Sequence, residues 1–137
     1  MGYPGIGVLV GILCGNEETI EAIKSSLNIK ILSVELVDNE LIFHLANKKN
    51  LIMWDDGQSC CEYRYMVCDD DLTHFENSTL LDITLENAPD VETEYDVHEI
   101  QFLHVKTSRG SFTVSSHNKH NGYYGGFRIQ AELKDVN

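Results

Sequence analysis

Ile29-Lys30-Ile31-Leu32-Ser33-Val34-Glu35-Leu36-Val37-Asp38-Asn39-Glu40-Leu41-Ile42-Phe43-His44-Leu45 is the stretch that decides the fold class. From Ile29 the hydrophobicity alternates with period two. Leu32, Val34 and Leu36 share one face and Ser33 and Glu35 the other, as in a half-buried strand. Leu41, Phe43 and Leu45 line a returning strand, and Asp38-Asn39 between the two is a tight hairpin turn, because these side chains tolerate left-handed backbone. Asn47-Lys48-Lys49-Asn50 is a second turn, residues 51–54 form a third strand, and Asp56-Gly57 marks the next reversal or bulge. The result is an antiparallel meander.

The same reading extends outward in both directions. Asn16 is placed to cap a helix over residues 16–27, with Glu17 and Glu18 in its first turn and Ile20, Ile23 and Leu27 on one face. Gly15 marks the turn out of the apolar stretch 6–14, which a strand or a short buried helix explains equally well. Residues 59–68 carry both periods: Tyr63, Tyr65 and Val67 alternate, while Cys61, Tyr65 and Cys68 fall at helical intervals. Asp69-Asp70-Asp71 before Leu72-Thr73-His74-Phe75 predicts a short helix with acids at its start. Leu81, Ile83 and Leu85 resume the strand pattern. Residues 86–97, with Pro89 and five acids, read as an acidic surface loop with Val91, Tyr95 and Val97 as anchors.

Ser108-Arg109-Gly110 joins strands over 99–106 and 111–115, with Phe112 and Val114 facing inward. Phe127, Ile129, Ala131 and Leu133 then alternate with Arg128, Gln130, Glu132 and Lys134 in a last half-buried strand. The expected fold is α+β, one domain over residues 1–137. Its frame is a predominantly antiparallel twisted sheet of about six to eight strands, with one N-terminal helix over a face and one short helix.

A chain of 137 residues with 42% hydrophobic content builds a core without staples. Its formal charge is −12, and the excess is local. Residues 54–100 hold fourteen acids and only Arg64 as a base, whereas residues 101–137 hold two acids and five bases. This balance disfavours direct nucleic-acid binding, which needs cations along the phosphate backbone. The apolar stretch 6–14 is far short of the roughly 20 residues that cross a bilayer, and it lacks the basic flank of a signal peptide. Ile6 stands where a myristoylation signal needs Ser or Thr. Four cysteines in a chain of this size point to reduced thiols and a cytoplasmic setting. No Gly-rich strand-to-helix phosphate loop, EF-hand pattern or G-x-S-x-G elbow occurs, and no cofactor is expected.

Two segments combine reactive side chains. Residues 55–62 contain Cys60-Cys61-Glu62, and residues 116–127 contain His117, His120, Asn121-Gly122-Tyr123-Tyr124 and Gly125-Gly126. Cys61 opposite His117 or His120 would make a thiolate–imidazole pair, with Glu62 or Glu99 orienting it. The plainer alternative is one buried structural cysteine and one semi-exposed thiol. His117 and His120 share a face if helical, but next to Asn121-Gly122 a turn is the expected setting. With Cys61 or Cys68, and Glu62 or His98, they also suit a mixed zinc site, weakened by the absence of any CxxC. His44 and His104, inside strand-like runs, are expected on sheet faces.

Cys60-Cys61-Glu62 followed some sixty residues later by Asn121-Gly122-Tyr123-Tyr124 resembles an uncharacterised family of small domains found in bacteriophage genomes and in bacteria. The likeness runs from about Asn28 to Ala131 and takes in the strand over 31–36 and the strand–turn–strand around Gly110. It implies a phage or prophage setting and carries no catalytic role. On these grounds the leading expectation is an acidic binding module for a basic host protein, such as a host defence or nucleic-acid-processing protein. Asp69, Asp70, Asp71, Asp90, Glu92, Glu94 and Asp96, with Tyr123 and Tyr124, would form its surface. A small Cys/His enzyme or zinc domain, and a structural or homo-oligomeric module, are the alternatives.

Overall fold

The computed structural model describes residues 17–56, 62–89, 91–92, 96–121 and 126–136. The expected turns at Gly15 and Gly57, and the cap at Asn16, lie outside these residues, as do Cys60, Cys61, Asp90, Glu94, Tyr95, Tyr123 and Tyr124. The described chain is α+β and antiparallel throughout. A helix α1 (Glu17–Ser26) leads into strands β1 (Ile31–Val37), β2 (Glu40–Leu45), β3 (Lys49–Asp55) and β4 (Tyr63–Val67). A 3-10 turn (Leu72–Phe75) follows, then β5 (Leu80–Asn87), β6 (Val91–Glu92), β7 (Val97–Thr107), β8 (Gly110–His120) and β9 (Ile129–Asp135). The expectation of one sheet is corrected to two. One runs β1-β2-β3-β9, and the other β4-β8-β7-β5 with β6 also on β7.

The meander forms for the reasons its sequence suggests. Asp38 and Asn39 both take positive φ, 51° and 63°, and Val37 pairs with Glu40 across the turn they make. That backbone twist matches two antiparallel strands. The second turn is one to two residues earlier than expected, because Lys48 takes the left-handed position (φ 64°) and β3 already starts at Lys49.

Two strand-face assignments are overturned. Between Ile31 and Ser33 the β1–β2 register shifts by a bulge, so Ile31 and Val34 point inward and Leu32 is 47% exposed. β5 does the same between Leu80 and Asp82, burying Leu80 and Ile83 and turning Leu81 outward. A bulge inserts one unpaired residue and so reverses the alternation on one side of it. The two bulged starts lie together: Leu80 donates from its N–H to Ile29 O at 3.0 Å, and Ile31 N–H to Ser78 O at 2.6 Å. This seam joins the sheets at one end.

The sheets face each other across an apolar core. Phe43 of the first meets Phe112 of the second at 6.3 Å between ring centroids, and Phe75 of the 3-10 turn closes on Phe112 at 4.8 Å. Asp71 caps that turn by accepting from Thr73 N–H, as its acidic start suggests. The helix α1 packs against β9 and buries Thr19, Ala22, Ile23 and Ser26. The expected face of Ile20, Ile23 and Leu27 is thus rotated. Thr19 Oγ1 takes the N–H of Ala131 at 3.1 Å, so a helix hydroxyl satisfies one backbone donor of the edge strand β9. Residues 86–97 are not loop throughout: β5 runs to Asn87, and Val91 and Glu92 pair with His98 and Val97.

Phe112→Ala should cost about 3–5 kcal/mol in urea unfolding, because it empties the contact between the sheets. Leu32→Ser should change stability by less than about 0.5 kcal/mol, as a solvent-facing bulge residue. A large loss at Leu32 would show that the bulge does not turn it outward.

Candidate functional site

Strand β8 buries every second residue: Phe112, Val114, Ser116, Asn118 and His120. Its partner β7 turns Val105, Leu103, Gln101 and Glu99 to the same side, and Glu99 stands opposite Asn118, which stands opposite Arg64 of β4. The interior is therefore apolar at the Phe112 end and polar at the His120 end. Strand alternation causes this, since a strand that continues past its apolar half must carry polar residues inward with the same period.

The centre of the polar end is Arg64. Its Nη1 donates to both oxygens of Asp55, at 3.0 and 2.8 Å, and its Nη2 to Glu62 Oε2 at 2.8 Å. All three side chains are nearly sealed from solvent, Glu62 at 1% exposure. Burial alone would pull the Arg64 pKa down, but the hydrogen bonds and charges of Asp55 and Glu62 outweigh it and raise it. The guanidinium stays charged. Two carboxylates around one cation leave a surplus of negative charge, and further donors meet it. Asn118 Nδ2 reaches Glu62 Oε2 at 2.9 Å, and Arg128 N–H reaches Asp55 Oδ1 at 2.9 Å.

Beside this cluster, His120 Nε2 lies 2.6 Å from Glu99 Oε1, which also accepts the N–H of Gly126 at 2.8 Å. Asn118 Nδ2 donates to Gly126 O at 3.2 Å. Gly126 is thus gripped at both its N–H and its carbonyl, in a conformation (φ 77°) that favours glycine. Three buried polar atoms in this cluster have no partner among the described residues: Arg64 Nε, Gln101 Oε1 and Asn118 Oδ1.

The sequence candidates divide accordingly. Glu62, Glu99 and His120 come together through Asn118 and Gly126. His117 does not join them. The turn expected at His117–His120 is instead strand, because β8 continues to His120. Residues three apart in a strand face opposite ways, so His117 lies on the outer face. There its Nδ1 meets His98 Nε2 at 2.8 Å, its Nε2 meets Ser115 Oγ at 2.9 Å, and Tyr65 stacks on its ring at 4.6 Å. Lys119 Nζ sits 5.6 Å from the centroid of the Tyr65 ring. Burial, then His98 and Lys119, lower the His117 pKa.

Cys68 is half-buried at the far end of β4. Burial, with Asp70 and Asp69 nearby, raises its pKa against the opposing hydrogen bond to Asp70 O, so it is held as a thiol. Among the described residues no group of three or more His, Cys, Asp or Glu is placed to hold a metal ion. His44 and His104 are sheet-face residues paired with Glu35 and Glu86.

Sequence reasoning missed Asp55, Arg64, Gln101 and Asn118. The available signal was the inward assignment of Phe112 and Val114, which puts Asn118 inside once the strand is continued past Ser115.

The acids also divide. Asp55, Glu62 and Glu99 are taken into the polar end, while Asp69, Asp70 and Asp71 are exposed, and among the described residues none of these three is ion-paired with a lysine or arginine. Asp70 Oδ2 accepts Thr113 N–H, whereas Asp96 precedes Val97, which is opposite His120. Thr113 and His120 are roughly 23 Å apart along a strand, so the two exposed acidic groups sit at opposite ends of one sheet.

Residues 24–128 match the model of a protein family described as "Domain of unknown function (DUF7448)". No curated protein and no solved structure matches the chain.

Arg64→Leu should lose about 3–5 kcal/mol at neutral pH by leaving two buried carboxylates without their cation. The deficit should shrink as pH falls through the carboxylate range, because the stranded acids can then take up protons. Adding Asp55→Asn and Glu62→Gln should recover much of it. His117 provides a second pH test. Its folded pKa lies below its unfolded value, so its cost is absent above about pH 6.5 and grows as pH falls below that. The melting temperature of His117→Gln should therefore fall less than wild type between neutral and mildly acidic pH.

Proposed function

The chain belongs to the DUF7448 family, and from its architecture we propose that it is an acidic binding module for a basic protein. The observation that carries this reading is the division of its carboxylates. Those inside are spent on one guanidinium, one imidazole and the backbone of Gly126 and Arg128. They hold Gly126 and Arg128 in place ahead of β9. Those outside, Asp69, Asp70 and Asp71 at one end and Glu92 and Asp96 at the other, face solvent. Hydrogen bonds from Thr73 lower the Asp71 pKa, which keeps its charge in place. A surface of this kind steers and orients a cationic partner more than it supplies raw affinity.

The resemblance to small domains of phage and bacterial genomes supports a cytoplasmic setting in a bacterial host. It also supports a defence or nucleic-acid-processing protein as the one bound and inhibited, a step that rests on association with that setting. Tyr123 and Tyr124 are proposed as its aromatic anchors from their sequence alone.

A catalytic reading has one specific support, the 2.6 Å Glu99–His120 contact, because His120 also lines a cavity of about 450 Å³ with His98, Lys119 and Asn121. A histidine oriented by a carboxylate beside a cleft is the arrangement of a general base.

The binding reading is tested with two variants, Asp69→Asn/Asp70→Asn and Glu92→Gln/Asp96→Asn, immobilised beside the wild-type chain and exposed to bacterial lysate at low and high ionic strength. The expected outcome is retention of a basic protein by the wild type at low salt. At least one variant should associate with it roughly tenfold more slowly, and salt should abolish the difference. Equal capture by all three chains at every salt concentration would remove the electrostatic basis of the reading.

A further inference from the structure

A second cleft, of about 350 Å³, opens beside the polar end, between Asn87 at the close of β5, Glu99 and Gln101 of β7, and Gly126-Phe127 before β9. Two acceptors of its lining residues have no partner among the described residues. Gln101 is 97% buried, with 3% exposure; its Nε2 donates to Asn87 Oδ1 at 2.8 Å, and its Oε1 has no partner among the described residues. A buried amide oxygen left unmatched costs free energy unless some donor reaches it. Two positions along the same strand, Glu99 brings a carboxylate to the cleft. Its Oε1 is occupied by His120 and by the N–H of Gly126, and its other oxygen makes no hydrogen bond with a described residue. One backbone donor of the lining, Ala88 N–H, is already given to Ile100 O at 2.9 Å. Phe127, half-buried, supplies apolar wall.

We infer that this cleft binds a guanidinium group. A negative charge and a neutral acceptor on one wall call for a cation with several directed N–H donors. A planar guanidinium meets two acceptors at once, whereas an ammonium acts as a point charge. The apolar wall suits the methylene stem that carries such a group. The chemistry is the same whether the group is an arginine side chain of a protein or belongs to a free small molecule. The protein source rests on the basic-partner reading above; the site itself does not.

The test titrates the full chain, followed by amide NMR shifts and calorimetry, with three probes. These are N-acetyl-arginine methylamide, its neutral citrulline counterpart, and a folded protein presenting a single exposed arginine. Arginine methylamide should bind and shift the amides around Gln101 and Gly126, with the citrulline probe at least tenfold weaker. Gln101→Leu should weaken binding about tenfold or more, as expected for a hydrogen bond to a charged group. Because this variant also loses the bond to Asn87, Ala88→Phe serves as a second one. It crowds the mouth without removing either acceptor and should weaken binding while the melting temperature holds. Binding of the methylamide alone places the source in small molecules, and tighter binding of the protein probe places it in partners. Equal binding of arginine and citrulline probes, no binding of any probe, or binding unaffected by both variants overturns the assignment. A docking surface lost from the acidic-residue variants with this site intact, or the reverse, separates failure of the two readings.

Discussion

One cation, Arg64, ties the two sheets together at the polar end of the interior. It sits on β4 in one sheet and binds Asp55 at the end of β3 in the other, so the contact between the sheets at this end is ionic. A buried ion pair is costly to form from solvated ions and costlier still to break from one side, because the survivor is left charged in a poor solvent. Its value here is positional. With Asp55 and Glu62 fixed, Asp55 can take Arg128 N–H and Asn118 can bridge Glu62 to Gly126. Gly126 and Arg128, just ahead of β9, are thereby held by side chains as well as by the backbone bond from Asp56 N–H to Arg128 O.

The opposite end is joined by different physics. There the paired bulges of β1 and β5 bring backbone donors and acceptors of the two sheets into direct contact around Ile29, Ile31 and Leu80. Phe43, Phe75 and Phe112 fill the space next to that seam. One end is closed by hydrogen-bonded backbone over an aromatic core and the other by charge, which places the ionisable groups and both clefts together. A site of either kind, for a partner's arginine or for a reacting substrate, needs fixed polar groups beside an opening.

Much of the frame was legible locally. The type of turn at Asp38-Asn39, the hairpin at Gly110, the inward Phe112 and Val114, and the capped short helix after Asp71 all depend on neighbours within a few residues. Leu32 and Leu81 were misassigned because a bulge is a property of two strands in register and leaves no mark in the alternation of one. The helix face is as expected at Ile23 and Leu27 and rotated toward Thr19, which counts as polar by composition yet takes a backbone N–H of β9. Of the candidate site, Glu62, Glu99 and His120 were named from residue type, and their meeting was not foreseeable. Asp55, Arg64, Gln101 and Asn118 were overlooked because polar residues in a strand read as a solvated face unless the partner sheet is known.

The amino-acid sequence by itself determined that this chain is antiparallel β with a covering helix, acidic, and family-bound across residues 24–128, because alternation, turn chemistry and charge are properties of short stretches. Only the tertiary structure decided which charges are spent inside and which remain outside. That choice depends on residues 55, 64, 99, 118 and 126 arriving at one place from four strands and the segment just before β9, and no local pattern encodes such an encounter.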